Sequence, residues 1–176
     1  STRKTWPLFR GLAGPIEYLL SINKLNPIHR HSPPNTAMGD FCRYVLSKLN
    51  VDYALTDPEL QSIPTNGPLV MVANHPFGGI EGIILAEVLI QARPDVRILG
   101  NFLLNRIPAL KSNLIPVDPF NPRKSARSNA RALKAAVDWV ARGGALLAFP
   151  AGEVSHLHPT RGQVTDPEWR PSIARI

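Results

Sequence analysis

Residues 69–82 read Leu-Val-Met-Val-Ala-Asn-His-Pro-Phe-Gly-Gly-Ile-Glu-Gly, and this stretch decides the fold. Leu69, Val70, Met71, Val72 and Ala73 form a short continuous apolar run, the pattern of a strand buried on both faces of a parallel sheet. Asn74-His75-Pro76-Phe77-Gly78-Gly79 ends the run, and residues 80–91 then carry the spacing of a helix. Strand, glycine turn and helix together make the first unit of an α/β fold. The ends of such strands are where these folds place binding and catalytic groups.

Outward from this unit, residues 96–99 and 114–117 read as further strands, residues 122–142 as a long helix and residues 145–149 as another strand. The order strand, helix, strand, strand, helix, strand predicts a mostly parallel central sheet with helices on its faces. In the long helix, Ala126, Ala130, Leu133, Val137 and Val140 are the expected buried stripe, with Lys124, Arg127, Arg131 and Lys134 on another face. Upstream, Met38, Phe41, Val45 and Leu49 are spaced as a helix, and residues 51–56 as a short strand. Phe9, Leu12, Ile16 and Leu19 suggest an amphipathic helix within residues 6–22, interrupted by Pro15, followed by a proline-rich loop over residues 23–36. Residues 1–50 are therefore read as an N-terminal helical segment, whose first helix either packs on the protein's own core or contacts a membrane surface, and residues 51–176 as the α/β domain.

Composition narrows the function classes. The 176 residues are 44% hydrophobic and 19% charged, which suits one globular domain and excludes low-complexity disorder. A single cysteine, Cys42, excludes a disulfide-stapled scaffold and points to a reducing compartment. No run of about eighteen apolar residues is present. The net charge of +7 predicts an anionic partner: nucleic acid, an anionic membrane face or a phosphate-bearing substrate. Much of it lies between Val96 and Gly144, where Arg97, Arg106, Lys111, Arg123, Lys124, Arg127, Arg131, Lys134 and Arg142 face only Asp118 and Asp138. Nucleic acid is the least supported partner, because no zinc-finger or RNA-recognition signature is present.

Three segments carry candidate chemistry. In the first, the glycines allow the chain to return so that Glu81 accepts a hydrogen bond from one nitrogen of His75 and leaves the other basic. No serine or cysteine accompanies them, so the nucleophile is the substrate's own hydroxyl, which suggests group transfer onto an alcohol. The second is Phe149-Pro150-Ala151-Gly152-Glu153-Val154-Ser155, where Gly152 permits close backbone approach to a ligand and Ser155 or the loop amides hold an anionic or oxyanionic group. The third runs from Gly100 to Arg106, whose arginine is placed to clamp a phosphate or carboxylate.

These three segments, in this order, resemble the glycerolipid acyltransferases of the lysophosphatidic acid acyltransferase type. The histidine block is most similar to that of the hemolysin-like or lyso-ornithine-lipid acyltransferase-like branch. The resemblance covers about residues 69–155 and implies a glycerolipid acyltransferase-like fold and an O-acyltransferase of lipid metabolism. It implies that His75 is the general base and Glu81 the acidic partner of the motif. It also implies that Asn74, Phe102, Arg106, Gly152, Glu153 and Ser155 contact the acceptor, and that the co-substrate is acyl-CoA or acyl-carrier protein, with neither metal nor cofactor. Ile80 stands where most relatives have aspartate, one residue ahead of Glu81. Ala151 and Val154 stand where most have glutamate and arginine in the later block. These departures point to an acceptor with a non-phosphate head, such as a lyso-ornithine lipid, whose ammonium Glu153 would read. The resemblance places the protein in the cytoplasm, peripheral on the inner face of the membrane. It also suggests a chain truncated before a final strand, with residues 169–176 the start of a helix.

Two other classes fit parts of the sequence. A metal-dependent hydrolase would use the pairs His29/His31 and His156/His158, in proline-flanked loops, with Glu81 or Glu153. A non-catalytic module would bind an anionic membrane through the basic face of the long helix alone.

Overall fold

The computed structural model describes residues 36–121, 124–158, 163–165, 167–169, 171 and 173–176. The helix expected within residues 6–22 and the His29/His31 pair lie outside them.

Helix α1 (Met38–Leu49) is followed by a short helix α2 (Asp57–Gln61), then β1 (Leu69–Val72), α3 (Gly79–Ala92) and β2 (Val96–Asn101). A 3-10 turn (Phe102–Arg106) and a short helix α4 (Pro108–Lys111) lead to β3 (Leu114–Val117). Helix α5 (Ala126–Ala141) and β4 (Ala145–Ala148) follow, then a two-stranded antiparallel ribbon of β5 (His156–His158) and β6 (Gln163–Thr165). The four-stranded sheet has the order β1-β4-β2-β3, and every pair in it is parallel. The fold is α/β, as the alternation of strands and helices predicts.

Strand β4 runs through the interior of the sheet, and Ala145, Leu146, Leu147 and Ala148 are all fully buried. Because side chains alternate across a strand, Ala145 and Leu147 join Val96, Ile98 and Leu114 on the face covered by α3 and α1. Leu146 and Ala148 join Leu99 and Ile115 on the face covered by α5 through Ala132, Ala136 and Val140. Helix α3 is apolar almost all round because the sheet takes one side and Phe41, Cys42 and Val45 of α1 the other.

Several local expectations are corrected. Residues 51–56 form no strand: Val51 and Tyr53 pack onto the α1/α3 core, and Thr56 caps α2 through a capping box with Glu59. In α5 Val140 is buried and Leu133 packs against the core as expected, but Ala132 and Ala136 are buried where Ala126 and Ala130, both exposed, were expected. Alanines sit equally well on either side of a helix, so their spacing carried little orientation. Helix α5 begins only at Ala126 because Asp118 organises the turn before it. The Asp118 carboxylate accepts the N–H groups of Phe120 (2.9 Å) and Asn121 (3.3 Å) and the hydroxyl of Ser125, while Asn129 bridges the backbone N–H and C=O of Asp118. His156 to His158 lie on a strand rather than a loop. Residues 173–175 make a 3-10 turn, not the start of an α-helix, and Ile173 and Ile176 pack against the α5 side of the sheet.

Candidate active site

The site is assembled by topology. All four strands are parallel, so their following loops gather at one edge, and the insertion of β4 next to β1 puts the loop after Phe149 beside the histidine loop. The two loops are tied by backbone: Ala73 N–H donates to Ala148 O at 3.3 Å, and Ser155 N–H donates to His75 O at 3.0 Å.

Gly78 caps α3 with φ 84° and ψ −112°, a conformation open to glycine, and turns the chain straight from the loop into the helix. Glu81 thereby occupies the first turn, where the helix dipole favours a carboxylate. Its Oε1 lies 3.0 Å from His75 Nδ1 and accepts the Phe77 N–H at 2.9 Å. The side chains of His75 and Glu81 are 22% and 14% exposed, so the pair is sheltered yet reachable from solvent. Burial opposes ionisation of Glu81, but hydrogen bonds from His75 and from the backbone N–H groups of Glu81 and Phe77 outweigh it and hold the carboxyl below the usual range. With its proton on Nδ1, facing the ionised Glu81 at 3.0 Å, a neutral His75 would keep its lone pair on Nε2. Such a pair can serve as a general base with an orienting carboxylate.

Phe149 was not among the residues expected to act here. Its ring packs on the imidazole of His75 with centroids 4.5 Å apart and planes tilted by 31°. The signal in the sequence was only its position at the end of a buried strand.

The other expected residues are placed as follows. Asn74 is exposed beside His75. Gly152 is exposed with φ 69°, and its N–H closes a turn onto Phe149 O at 3.0 Å. Glu153 is exposed, and Ser155 is half-buried, tied to His75 through its N–H. Phe102 and Arg106 are both exposed on the 3-10 turn after β2, separated from β1 by β4 in the sheet order. Phe102 meets Phe120, from the loop after β3, edge-to-face at 6.4 Å. The structure thus brings His75, Glu81, Phe149 and Ser155 together, while Phe102 and Arg106 belong to a separate part of the same edge.

Two further polar centres, also unexpected from sequence, lie away from this edge. Glu87 is buried and accepts from Arg43 Nη1 (3.2 Å), Gln91 Nε2 (2.6 Å) and the Tyr53 hydroxyl. Arg93 is buried and forks onto Asp95 at 2.6 and 2.7 Å. Among the described residues no group of three or more His, Cys, Asp or Glu side chains is arranged to hold a metal ion. Nor is any described helix long and apolar enough to cross a membrane.

A parallel α/β sheet whose first loop presents a histidine paired with a carboxylate is an arrangement suited to moving a proton during group transfer. Comparison with known proteins agrees: the chain matches the acyltransferase family over residues 25–175 and belongs to it. It is also 30% identical over 112 residues to a lyso-glycine lipid O-acyltransferase of Phocaeicola vulgatus. That match covers 63% of this chain and 38% of the relative.

Proposed function

We propose that this chain transfers a fatty acyl group from a thioester, of coenzyme A or of acyl-carrier protein, to the hydroxyl of a lyso-lipid with an amino-acid head. Nε2 of His75 takes the hydroxyl proton as the oxygen attacks the thioester carbonyl. The C–S bond then breaks, and the imidazolium returns the proton to the departing thiolate. The observation that carries this reading is the 3.0 Å contact between His75 Nδ1 and an ionised Glu81 at the end of β1.

The non-phosphate head is supported by Ala151 and Val154, which leave the later block without the charged pair that most relatives carry, and by the lyso-glycine lipid in the relative's name. Glu153, exposed beside Gly152, is the carboxylate of this loop that would meet an acceptor ammonium. Contact with an anionic membrane surface is supported by the same edge of the sheet. Phe77 is 75% exposed, Phe102 40% and Phe120 42%, and Arg106, Lys124 and Arg127 are exposed in the loops and helix start that follow these strands.

The test is an acceptor panel of lyso-glycine lipid, lyso-ornithine lipid and lysophosphatidic acid, each with acyl-CoA and with acyl-carrier protein. The amino-acid lipids are expected to be preferred by about tenfold or more, the scale of one charge-assisted contact. Equal or better turnover of lysophosphatidic acid would overturn the assignment of the head.

A further inference from the structure

The 3.0 Å approach of Glu81 Oε1 to His75 Nδ1 does not by itself stop the imidazole rocking about its bond axis, since the final side-chain torsion of histidine is broad. Phe149 blocks that motion. Its ring packs on the imidazole with centroids 4.5 Å apart, and it also lies against the first turn of α3. A methyl group built on Gly82 would sit 3.7 Å from Phe149 Cε2 and 3.8 Å from Cζ, so the ring is backed by the backbone of the residue next to Glu81. The loop carrying Phe149 cannot drift from the histidine either, because Ala73 N–H bonds Ala148 O and Ser155 N–H bonds the carbonyl of His75 itself.

We propose that Phe149 is a positioning residue for the reaction: it fixes the plane of the His75 imidazole, so that Nε2 is aimed at the acceptor hydroxyl while Glu81 fixes the tautomer. The proposal rests on the reading of His75 as the base. It gives the block after β4 a task distinct from acceptor contact, since through Phe149 and the Ser155 N–H that block acts on the catalytic side chain and its backbone.

The experiment compares Phe149→Leu with the native chain and repeats the substitution in a His75→Ala background. Misaiming a base by a fraction of an ångström lowers turnover steeply, so Phe149→Leu is expected to reduce kcat about 10- to 100-fold with KM changed by less than about twofold. In the His75→Ala background the same substitution is expected to change nothing further, because its whole effect passes through the imidazole. In NMR spectra the His75 ring protons should lose their ring-current displacement in Phe149→Leu while the rest of the spectrum stays native. If Phe149→Leu does not fold, Phe149→Met, an unbranched apolar filler, supports the same comparisons.

A rise in KM at unchanged kcat would make Phe149 a substrate contact and overturn the proposal. So would an equal loss in both backgrounds, or unperturbed His75 ring shifts. Full activity in His75→Ala alone would remove the base reading and the positioning role together. A damaged His75→Ala with an undamaged Phe149→Leu would remove only the latter.

Discussion

Glu81 gains its importance from where the chain puts it rather than from its chemistry alone. At the third position of α3, reached through Gly78, it collects the Phe77 N–H and His75 Nδ1 on one oxygen. Glu81→Gln keeps the shape but offers an amide whose N–H₂ competes as a donor, so the histidine is no longer held in one tautomer. Turnover is expected to fall about 100-fold or more, measured as kcat on a thioester and lyso-lipid pair. The folded-state value of Glu81 lies below the ordinary 4.5, so ionisation contributes stability that is present above about pH 4.5 and lost as pH falls through the lower folded value. Thermal melts of the native chain and Glu81→Gln are therefore expected to differ most at neutral pH and to converge in acid. Cys42 gives a contrasting case. Burial, reinforced by the nearby Glu87 charge, pushes its thiol up to about 12, so a thiol reagent at pH 8 is expected to label the protein only after denaturation.

At the scale of elements, the turn between α5 and β4 is set by packing rather than by any motif. Gly143 has φ 90°, and a methyl group on the next residue, Gly144, would lie 2.3 Å from the Trp139 indole. That indole donates to Ala145 O at 3.1 Å and carries the Arg97 guanidinium 3.9 Å above its ring. Gly144→Ala displaces the indole from both partners and is expected to destabilise by about 1–3 kcal/mol, read from chemical denaturation. The same elements show what the sequence made legible. Strands β1, β2, β3 and β4 were readable as short apolar runs, and Gly78-Gly79 marks the break into α3, but burial on both faces holds for β4 and not for β1, which lies at the sheet edge half-buried with Val72 exposed. The orientation of α5 was only partly readable, because two of its three buried positions, Ala132 and Ala136, are alanines. Nor was the fate of residues 51–56, since their apolar residues serve α3 from a coil as well as they would serve a sheet from a strand. Within the site, His75 and Glu81 were legible from the strand–glycine–helix order. Phe149 was hidden because its contact depends on β4 lying beside β1, a matter of strand order that no local spacing records.

For the molecule as a whole, the two edges of the sheet have opposite tasks. The edge at the strand ends carries the site, and the edge at the strand starts is locked by Arg93. Its buried guanidinium donates to Asp95 ahead of β2, to Pro64 O (3.0 Å) ahead of β1 and to Gly143 O (2.7 Å) ahead of β4. One side chain therefore joins the approaches to three of the four strands. Asp95→Asn leaves this buried cation poorly compensated. Because Asp95 is 35% exposed, solvent relieves part of the penalty, and the expected loss is about 2–3 kcal/mol rather than the larger value for a fully buried pair. The hydrogen bond from Arg93 holds the Asp95 carboxyl below its ordinary 3.8, so the stability it supplies is present above that pH and lost as pH falls through the lower folded value. Activity per folded molecule is expected to survive Asp95→Asn, since the lock is at the far edge from His75.

The central claim, that His75 is the base that activates an acceptor hydroxyl, is tested most directly by kcat/KM for acyl transfer from a long-chain thioester to a lyso-lipid by the native chain and by His75→Ala. Loss of a general base predicts a fall of about 10²- to 10⁴-fold in a variant that remains folded by circular dichroism. Transfer by His75→Ala at the native rate would contradict it.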